Sequence, residues 1–322
     1  MSSSYILRKG HASLGDLTNG YAAQGLGIGN VYRVCASGEA YYNDFVADHG
    51  GTYRDGSEVV HTTIASALAA TVECRNDYVI VQPKNADYDL TAALDLDKKS
   101  VHLVCPAGLT YSIGANNAAR LHQTGSDEIM TVSDSAVEIA GFYLKNYYTK
   151  GGIIIANSSY GLAIHNNYWA MSLDGSTNEP MLGPLIANTT GDAGAFSTIE
   201  RNFIQSQSGG SATIAAIIIF NSQATGVRIC DNEILIGDTN NTATVGILNS
   251  SLKGVTRDNI GHASQTPSGA GVFTHFINTH ASGTAYRNIC NVADGEIVVG
   301  GTDELSHILN YNSVGGGAQD EL

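Results

Sequence analysis

Acidic and basic residues that could cleave a glycosidic bond recur beside an asparagine that the chain repeats. The acids are Glu200, Asp231, Glu233 and Asp258, and the possible bases are Arg257 and His165. Glycoside hydrolysis uses two carboxylates about 5 to 10 Å apart. A lyase would instead need a base that removes a proton from the sugar, which an arginine or a histidine can be. These residue types therefore raise the hypothesis of a polysaccharide-cleaving enzyme.

The same charges also have a structural explanation. In successive repeats the residue before the asparagine is Asn166, Arg201, Asp231, Asp258 and Arg287. The two acids are thus flanked by two arginines, and opposite charges on neighbouring strands attract each other. The sequence favours such an inter-strand ion-pair ladder, and it singles out no catalytic residue.

A second candidate site lies where the chain makes its longest step between repeats. Tyr168 and Trp169 precede the stretch 171–184, and 35 residues separate Asn167 from Asn202. The extra residues are expected to leave the repeat as a loop, and loops on rigid scaffolds often bind ligands. Tyrosine and tryptophan suit stacking on sugar rings or partner proteins. Alternatively, the two rings cover the base of the loop.

Composition narrows the possible partners. The formal net charge is −14 and no Lys/Arg cluster is present, which disfavours nucleic acid and anionic membranes as partners. The longest apolar run, 214–220, is too short to cross a bilayer. The ten histidines show no metal-ligand spacing, so neither a metal nor another cofactor is predicted. Five widely spaced cysteines and an N-terminus without a signal-peptide core predict reduced thiols in an unsecreted protein.

The elements that position these residues follow from an internal repeat. Five segments place large apolar residues before an asparagine, then a serine or threonine, then a glycine, with steps of 28 to 33 residues, a period typical of stacked repeats. The first asparagines of the repeats are Asn157, Asn188, Asn221, Asn249 and Asn278. The second asparagines are Asn167, Asn202, Asn232, Asn259 and Asn288. Two sets that share one period make a chance alignment improbable.

The repeat predicts an all-β fold, a single-stranded right-handed parallel β-helix of about eight coils. Apolar residues alternate in short strands, as in Val227, Ile229 and Ile234, and several strands per repeat imply a coil around a core. Stacked coils are about 4.8 Å apart. Each asparagine is expected to lie over its equivalent, to hydrogen bond along the column and to adopt the left-handed conformation of a tight corner.

Four regions are predicted along the chain. Residues 1–60 are expected to form an N-terminal arm or head with one strand at Val31–Val34, and residues 61–75 a capping helix with an apolar stripe. An open end of a stack exposes core and strand edges, which explains the need for a cap. Residues 76–314 are assigned to the β-helix and residues 315–322 to a C-terminal tail.

Residues 60–314 resemble the pectate-lyase-like β-helix superfamily. The recurring I-x-x-N element and the segment TIASALAATVECRNDYVIVQP carry the resemblance. Within the superfamily the chain looks most like short bacteriophage β-helix proteins, such as tail spikes and other virion components. Its enzymes carry Asp-Asp, Gly-His-Gly and Arg-x-Lys, or Trp-x-Asp-His and Arg-x-Pro-x-x-Arg, and none of these occurs here. Their catalytic residues therefore have no counterpart in this chain.

The resemblance implies a non-enzymatic structural or attachment protein of a phage-like virion, assembled in the host cytoplasm. Residues 1–60 would dock to other virion proteins, and the resemblance also implies a homo-oligomer such as a trimer. The alternative is a polysaccharide lyase or glycoside hydrolase that acts on a polymer bound along one face. A weaker alternative is a carbohydrate-binding protein without turnover.

Overall fold

The structure is a computed structural model that describes part of the chain. The described residues are 29–109, 118–146, 152–156, 159–172, 185–187, 193–207, 217–219, 224–236, 243–263, 265–266, 269–270, 273–280, 282–290, 298–299, 307–308, 311–312 and 317–318. Within them the chain is mostly β, with two α-helices, α1 (Tyr42–His49) and α2 (Ile64–Ala70), and one 3-10 turn at Pro106–Gly108.

The strands of the described residues are short, and most have three to five residues. The first half comprises β1 (Val31–Val34), β2 (Val60–His61), β3 (Asp77–Val81), β4 (Tyr88–Leu90), β5 (Leu94–Leu96), β6 (Val101–Val104), β7 (Ala119–Gln123), β8 (Met130–Val132), β9 (Glu138–Ala140), β10 (Phe142–Asn146), β11 (Ile153–Ile155), β12 (Ala163–His165), β13 (Tyr168–Ser172), β14 (Leu185–Ala187), β15 (Thr198–Glu200) and β16 (Phe203–Gln207). The second half comprises β17 (Ile217–Ile219), β18 (Arg228–Cys230), β19 (Glu233–Ile236), β20 (Ala243–Asn249), β21 (Val255–Arg257), β22 (Ile260–Ala263), β23 (Gln265–Thr266), β24 (Gly269–Ala270), β25 (Phe273–Thr279), β26 (Thr284–Tyr286), β27 (Ile289–Cys290), β28 (Val298–Val299), β29 (His307–Ile308), β30 (Tyr311–Asn312) and β31 (Gly317–Ala318).

Three long sheets contain these strands in rotation, except for β23 and β24, which pair antiparallel with each other. Sheet 1 runs β2-β1-β3-β6-β9-β12-β15-β18-β21-β26-β29, sheet 2 runs β4-β7-β10-β13-β16-β19-β22-β27-β30-β31, and sheet 3 runs β5-β8-β11-β14-β17-β20-β25-β28. Pairing is parallel throughout sheets 1 and 3, and in sheet 2 except where β31 pairs antiparallel with β30. The expectation of long parallel sheets is confirmed, and the arrangement is consistent with a parallel β-helix.

Apolar side chains that point inward from the sheets form one continuous core. In sheet 1, Leu103, Ile139, Ile164, Ile199 and Ile229 occupy equivalent positions on successive strands, and all five are buried. Parallel sheets of this kind remove both main-chain and branched side-chain surface from water. The alternation of apolar residues in the sequence therefore reports the inner face of each strand.

Residues 29–60, the described part of the predicted N-terminal arm, are not separate from the stack. Strand β1 lies inside sheet 1 and pairs in parallel with both β2 and β3. Tyr32 and Val34 are buried in the main core. Residues 1–28, which make up most of the predicted arm, lie outside the described residues. At the other end, β31 joins sheet 2, so the predicted tail at 315–322 includes a paired strand.

Helix α2 is shorter than the predicted span of residues 61–75. Thr63 caps its N-terminus by accepting a hydrogen bond from the Ser66 amide, and Ile64, Ala67 and Leu68 are buried. The helix ends at Ala70, where Thr71 adopts an extended conformation, and Lys98 Nζ donates to the carbonyl oxygens of Leu68, Ala69 and Thr71 at 2.9, 2.8 and 2.9 Å. Val72, predicted on the apolar stripe, is 46% exposed.

The second set of asparagines forms one hydrogen-bonded column. The side-chain amide of each asparagine donates to Oδ1 of the next, at 3.2 Å from Asn167 to Asn202 and at 3.0 Å in each of the three later steps. The same Oδ1 atoms also accept the backbone N–H of the preceding asparagine. All five side chains are buried: Asn167, Asn202, Asn232, Asn259 and Asn288. The repeated amide thus satisfies buried polar groups at every level of the stack.

The first set does not form an equivalent column where it is described. Asn249 lies beside Ile219 and Thr279, whereas Asn278 lies beside Leu248. The two asparagines are therefore one residue out of register, and the prediction that Asn249 stacks on Asn278 is wrong. Asn249 instead accepts hydrogen bonds at Oδ1 from the backbone and hydroxyl of Ser251. The predicted members Asn157, Asn188 and Asn221 lie outside the described residues.

Candidate functional site

The corner between sheets 1 and 2 places the candidate acids and bases. The residue before each ladder asparagine has a positive φ of 53° to 56°, which is the left-handed conformation. These residues are Asn166, Arg201, Asp231, Asp258 and Arg287. The sequence predicts this conformation for the ladder asparagines themselves. In the structure it belongs instead to the residue that precedes each of them. The left-handed position therefore carries a charged side chain on four of these five levels.

Ion pairs join most of the charged side chains at this corner. Arg201 Nη2 lies 3.1 Å from Glu200 Oε1 within one level. Asp258 Oδ2 contacts Arg257 Nη1 on its own level and lies 2.7 Å from Arg287 Nη2 on the next. Of the inter-strand pairs that the alternating charges suggest, the described residues contain Asp258–Arg287, whereas Arg201 pairs with Glu200 on its own level. Paired and partly exposed charges of this kind contribute little stability individually.

Asp231 is the exception among the acids. No ion pair or side-chain hydrogen bond joins it to the described residues, and its side chain is exposed. Partial desolvation raises its pKa; Arg257 opposes the shift, and the negative charges of Asp258 and Glu200 add to it. At Asp258 burial acts in the same direction, but hydrogen bonds from Arg287 and Arg257 outweigh it and lower the pKa. The pKa of Asp231 is therefore raised, whereas the pKa of the equivalent Asp258 on the neighbouring level is lowered.

Glu233 does not join the other acids. It follows the ladder asparagine and lies in sheet 2, between Phe203 and Ile260 on the neighbouring strands. Its Oε1 atom lies 3.5 Å from His262 Nε2 in the next strand of that sheet. Glu200, by contrast, lies in sheet 1. The structure therefore divides the sequence-predicted acids between two faces.

The aromatic pair Tyr168 and Trp169 does not present free ring faces. Trp169 is 1% exposed and belongs to the main core. Tyr168 is stacked between Tyr143 and Phe203, with ring centroids 4.7 and 5.0 Å away and interplanar angles of 8° and 13°. Both faces of the Tyr168 ring are covered, so neither residue can take the predicted role of a stacking platform. Residues 173–184 of the predicted loop lie outside the described residues.

His165 is not an accessible base, because it belongs to a buried polar cluster on the outer face of sheet 1. His165 Nε2 lies 2.8 Å from Glu138 Oε1, and His102 Nδ1 lies 2.6 Å from Glu138 Oε2. The outer ring nitrogens contact Asn76 Oδ1 and Asn166 Oδ1 at 2.7 and 2.9 Å. All three ionisable side chains are at most 8% exposed.

Glu138 is the ionised centre of this cluster. Burial alone would raise its pKa, but hydrogen bonds from His102 and His165 outweigh burial and lower the pKa to about 2. Sequence reasoning missed Glu138 and His102. The available signal was a polar residue inside each apolar run, V-H-L-V and V-E-I-A. Linking the two runs needs the register between strands, which the sequence does not give.

Glu138 separates the two histidines and binds each with a different oxygen, so the three side chains do not converge on a common point. Across the described residues, no group of three or more His, Cys, Asp or Glu could hold a metal ion. In the described part of the chain, no helix has the length and apolar character to cross a membrane.

No protein-family model, curated protein or solved structure matches this chain. The described residues contain a hydrogen-bonded asparagine column, a buried His-Glu-His cluster and the Asp258–Arg287 ion pair, and each of these joins one level of the stack to the next.

Proposed function

We propose that this protein is a non-enzymatic structural or attachment component of a phage-like virion. The observation that carries the proposal is that most of the acids and bases on the outer side of the described corner and of sheet 1 bind one another. Glu138 binds two histidines, Asp258 binds two arginines, and Glu200 binds Arg201. Groups held in such contacts stiffen the stack and are not available as a general acid or base.

The proposal includes a finer description of the fold, a right-handed parallel β-helix of about eight coils related to the pectate-lyase-like superfamily. The rotation of strands among three parallel sheets supports it. In this description α2 caps the first coil. Its buried residues Ile64, Ala67 and Leu68 pack in the same core as Tyr32 and Leu94, which removes the open end of that core from water.

In the proposed assembly, residues 1–60 dock this protein to other virion proteins, and the protein forms a homo-oligomer such as a trimer within the host cytoplasm. The test is mass spectrometry of purified particles that contain either the full chain or a chain lacking residues 1–30. Removal of residues 319–322 is the matched control. We expect the N-terminal deletion to abolish incorporation and the control to leave it intact. Unchanged incorporation of the N-terminal deletion would exclude the docking role.

The second candidate function is polysaccharide depolymerisation, and Asp231 is the observation that favours it. An exposed carboxyl group with a raised pKa suits a general acid, and the ionised Asp258 lies on the neighbouring level. Its test is the release of reducing ends, or of unsaturated sugars that absorb in the ultraviolet, from bacterial or algal polysaccharides. Turnover that Asp231→Ala abolishes would place this function first, and Glu233→Ala tests the acid in sheet 2. Absence of turnover in the wild-type protein would exclude it.

A further inference from the structure

A second corner, between sheets 3 and 1, contains an unusual phenylalanine. On five successive levels the residue at the same position of this corner has a positive φ of 52° to 70°, and these residues are Ala136, Gly161, Phe196, Gly226 and Lys253. Backbone hydrogen bonds stack these levels: Gly161 N–H donates to Ala195 O at 2.7 Å, and Phe196 N–H donates to Thr225 O at 2.8 Å. Phe196 therefore lies directly between two levels at which the same position is glycine.

Phe196 is unfavourable for the fold in two ways. Its φ of 55° is a conformation that bulky side chains rarely adopt and that glycine adopts without strain. Its side chain is also 66% exposed, the highest exposure of any large apolar residue that the structure describes. A glycine, as at Gly161 and Gly226, would remove both costs. Violations of local rules that bring no folding benefit concentrate at functional sites.

The neighbouring glycines make room for the ring. The position that a Cβ atom would take at Gly226 lies 3.2 and 3.4 Å from Cδ1 and Cε1 of Phe196. On the other side, the equivalent position at Gly161 has no heavy atom within 4 Å. The ring is thus supported by one level and open towards the other. Tyr160 and Leu252, which are 45% and 37% exposed, lie at the same corner, one level and two levels away from Phe196.

We infer that Phe196 is the platform of a carbohydrate-binding site that takes a neutral hexose polymer. The apolar face of a sugar ring stacks on a single exposed aromatic ring. A stable protein interface needs about 800 Å² per partner, whereas this patch is one ring wide between two glycines. The net charge of −14 opposes polyanionic polymers such as polyuronates. The inference rests on the proposed attachment function, for which it supplies the ligand class.

Among the aromatic residues with described contacts, Phe196 suits this role better than the rings that the sequence suggests. Tyr168 has both faces covered, and Trp169 is buried. Tyr160 carries Lys99 Nζ at 5.9 Å from its ring centroid, so the lysine occupies part of its surroundings. Tyr160 is therefore a flank of the site, and Phe196 is its centre.

The experiment measures binding of laminarin, dextran, mannan and galactan, with alginate as the anionic comparison, by affinity electrophoresis and calorimetry. The variants are Phe196→Gly and, as a control with similar loss of exposed apolar surface on another face, Ile289→Ala. We expect the wild-type protein and Ile289→Ala to bind at least one neutral polymer. Phe196→Gly is expected to bind it at least tenfold more weakly, with an unchanged or higher melting temperature.

Equal binding by Phe196→Gly and the wild-type protein would overturn the inference, as would failure of the wild-type protein to bind any neutral polymer. Such a failure, combined with N-terminal-dependent incorporation into particles, would leave the virion proposal standing. Conversely, Phe196-dependent binding by a protein that no particle contains would retain the site and overturn the virion proposal.

Discussion

At the residue scale, the most consequential side chain is a carboxylate that sequence reasoning overlooked. Glu138 is buried between His102 and His165, and its pKa is about 2, below the ordinary 4.5. A depressed pKa means that the folded state binds a proton less readily than the unfolded state. The stability that Glu138 contributes is therefore fully present above about pH 4.5 and is lost as the pH falls towards 2.

We predict that Glu138→Gln lowers the free energy of unfolding by about 3 kcal/mol at pH 7, since it removes the buried carboxylate that accepts hydrogen bonds from both histidines. Urea unfolding at pH 7 and at pH 3 measures the effect. The difference between variant and wild type should narrow at pH 3, where the wild-type carboxylate has lost part of its advantage. The exposed Glu58→Gln is the control, and a Glu138→Gln variant as stable as this control would contradict the description.

The two sets of asparagines differ in what each side chain holds. Asn232 accepts the backbone N–H and the amide of Asn202 and donates to the carbonyl oxygen of Ile199. Asn232→Ala should cost about 2 to 3 kcal/mol, because it leaves these buried groups unpaired. Asn278→Ala should cost about 0.5 kcal/mol, because Asn278 lies outside any such column in the described chain. Thermal unfolding of both variants distinguishes them, and equal losses would contradict the assigned register.

The sequence predicts residues best where their chemistry repeats. The second asparagine set has a nearly constant distance to the following strand, so its column could be predicted. In the first set, the position of the asparagine within its strand varies by one residue. Asn249 lies beside Thr279 and Asn278 lies beside Leu248, so the two asparagines differ by that one residue. Trp169 illustrates a different limit. Trp169 follows Tyr168 in one strand, so the two side chains point to opposite faces of the sheet, and no sequence feature says which of them points into the core.

At the element scale, the position of α2 follows from its ends. The apolar spacing predicts the helix and allows Thr62 or Thr63 as its N-terminal cap, and in the structure the cap is Thr63. The carbonyl oxygens at its C-terminal end bind Lys98, which is 28 residues beyond Ala70 in the chain and therefore invisible to a local pattern. Strand β1 was predicted for the same local reasons, but its place within sheet 1 comes from pairing with β2 and β3.

We predict that Lys98→Met lowers the free energy of unfolding by about 1 to 2 kcal/mol, because three carbonyl oxygens at the end of α2 lose a charged donor. Lys99→Met is the matched control, with an expected change within about 0.5 kcal/mol. Hydrogen exchange of the amides in α2 should rise in Lys98→Met alone. Equal effects of the two variants would show that the Lys98 contacts do not hold the helix.

At the scale of the whole molecule, three described polar features join one level of the stack to another. The asparagine column, the His-Glu-His cluster and the Asp258–Arg287 ion pair link residues that are 27 to 36 positions apart. Contacts that repeat from level to level support the proposed structural role. The repeat period in the sequence was sufficient to predict the stack. Which charged residues pair between its levels depends on the register between strands, which the sequence does not give.

The register of that stack is tested most directly by paired cysteines on the outer face of sheet 1. Thr198 lies beside Arg228 on the next strand, about 4.8 Å away, within reach of a disulfide. Thr198 and Val255 are two strands apart, roughly 10 Å, and cannot be bridged. After mild oxidation, peptide mass spectrometry should find a disulfide in Thr198→Cys/Arg228→Cys and none in Thr198→Cys/Val255→Cys. The reverse result, or equal yields, would contradict the parallel stack.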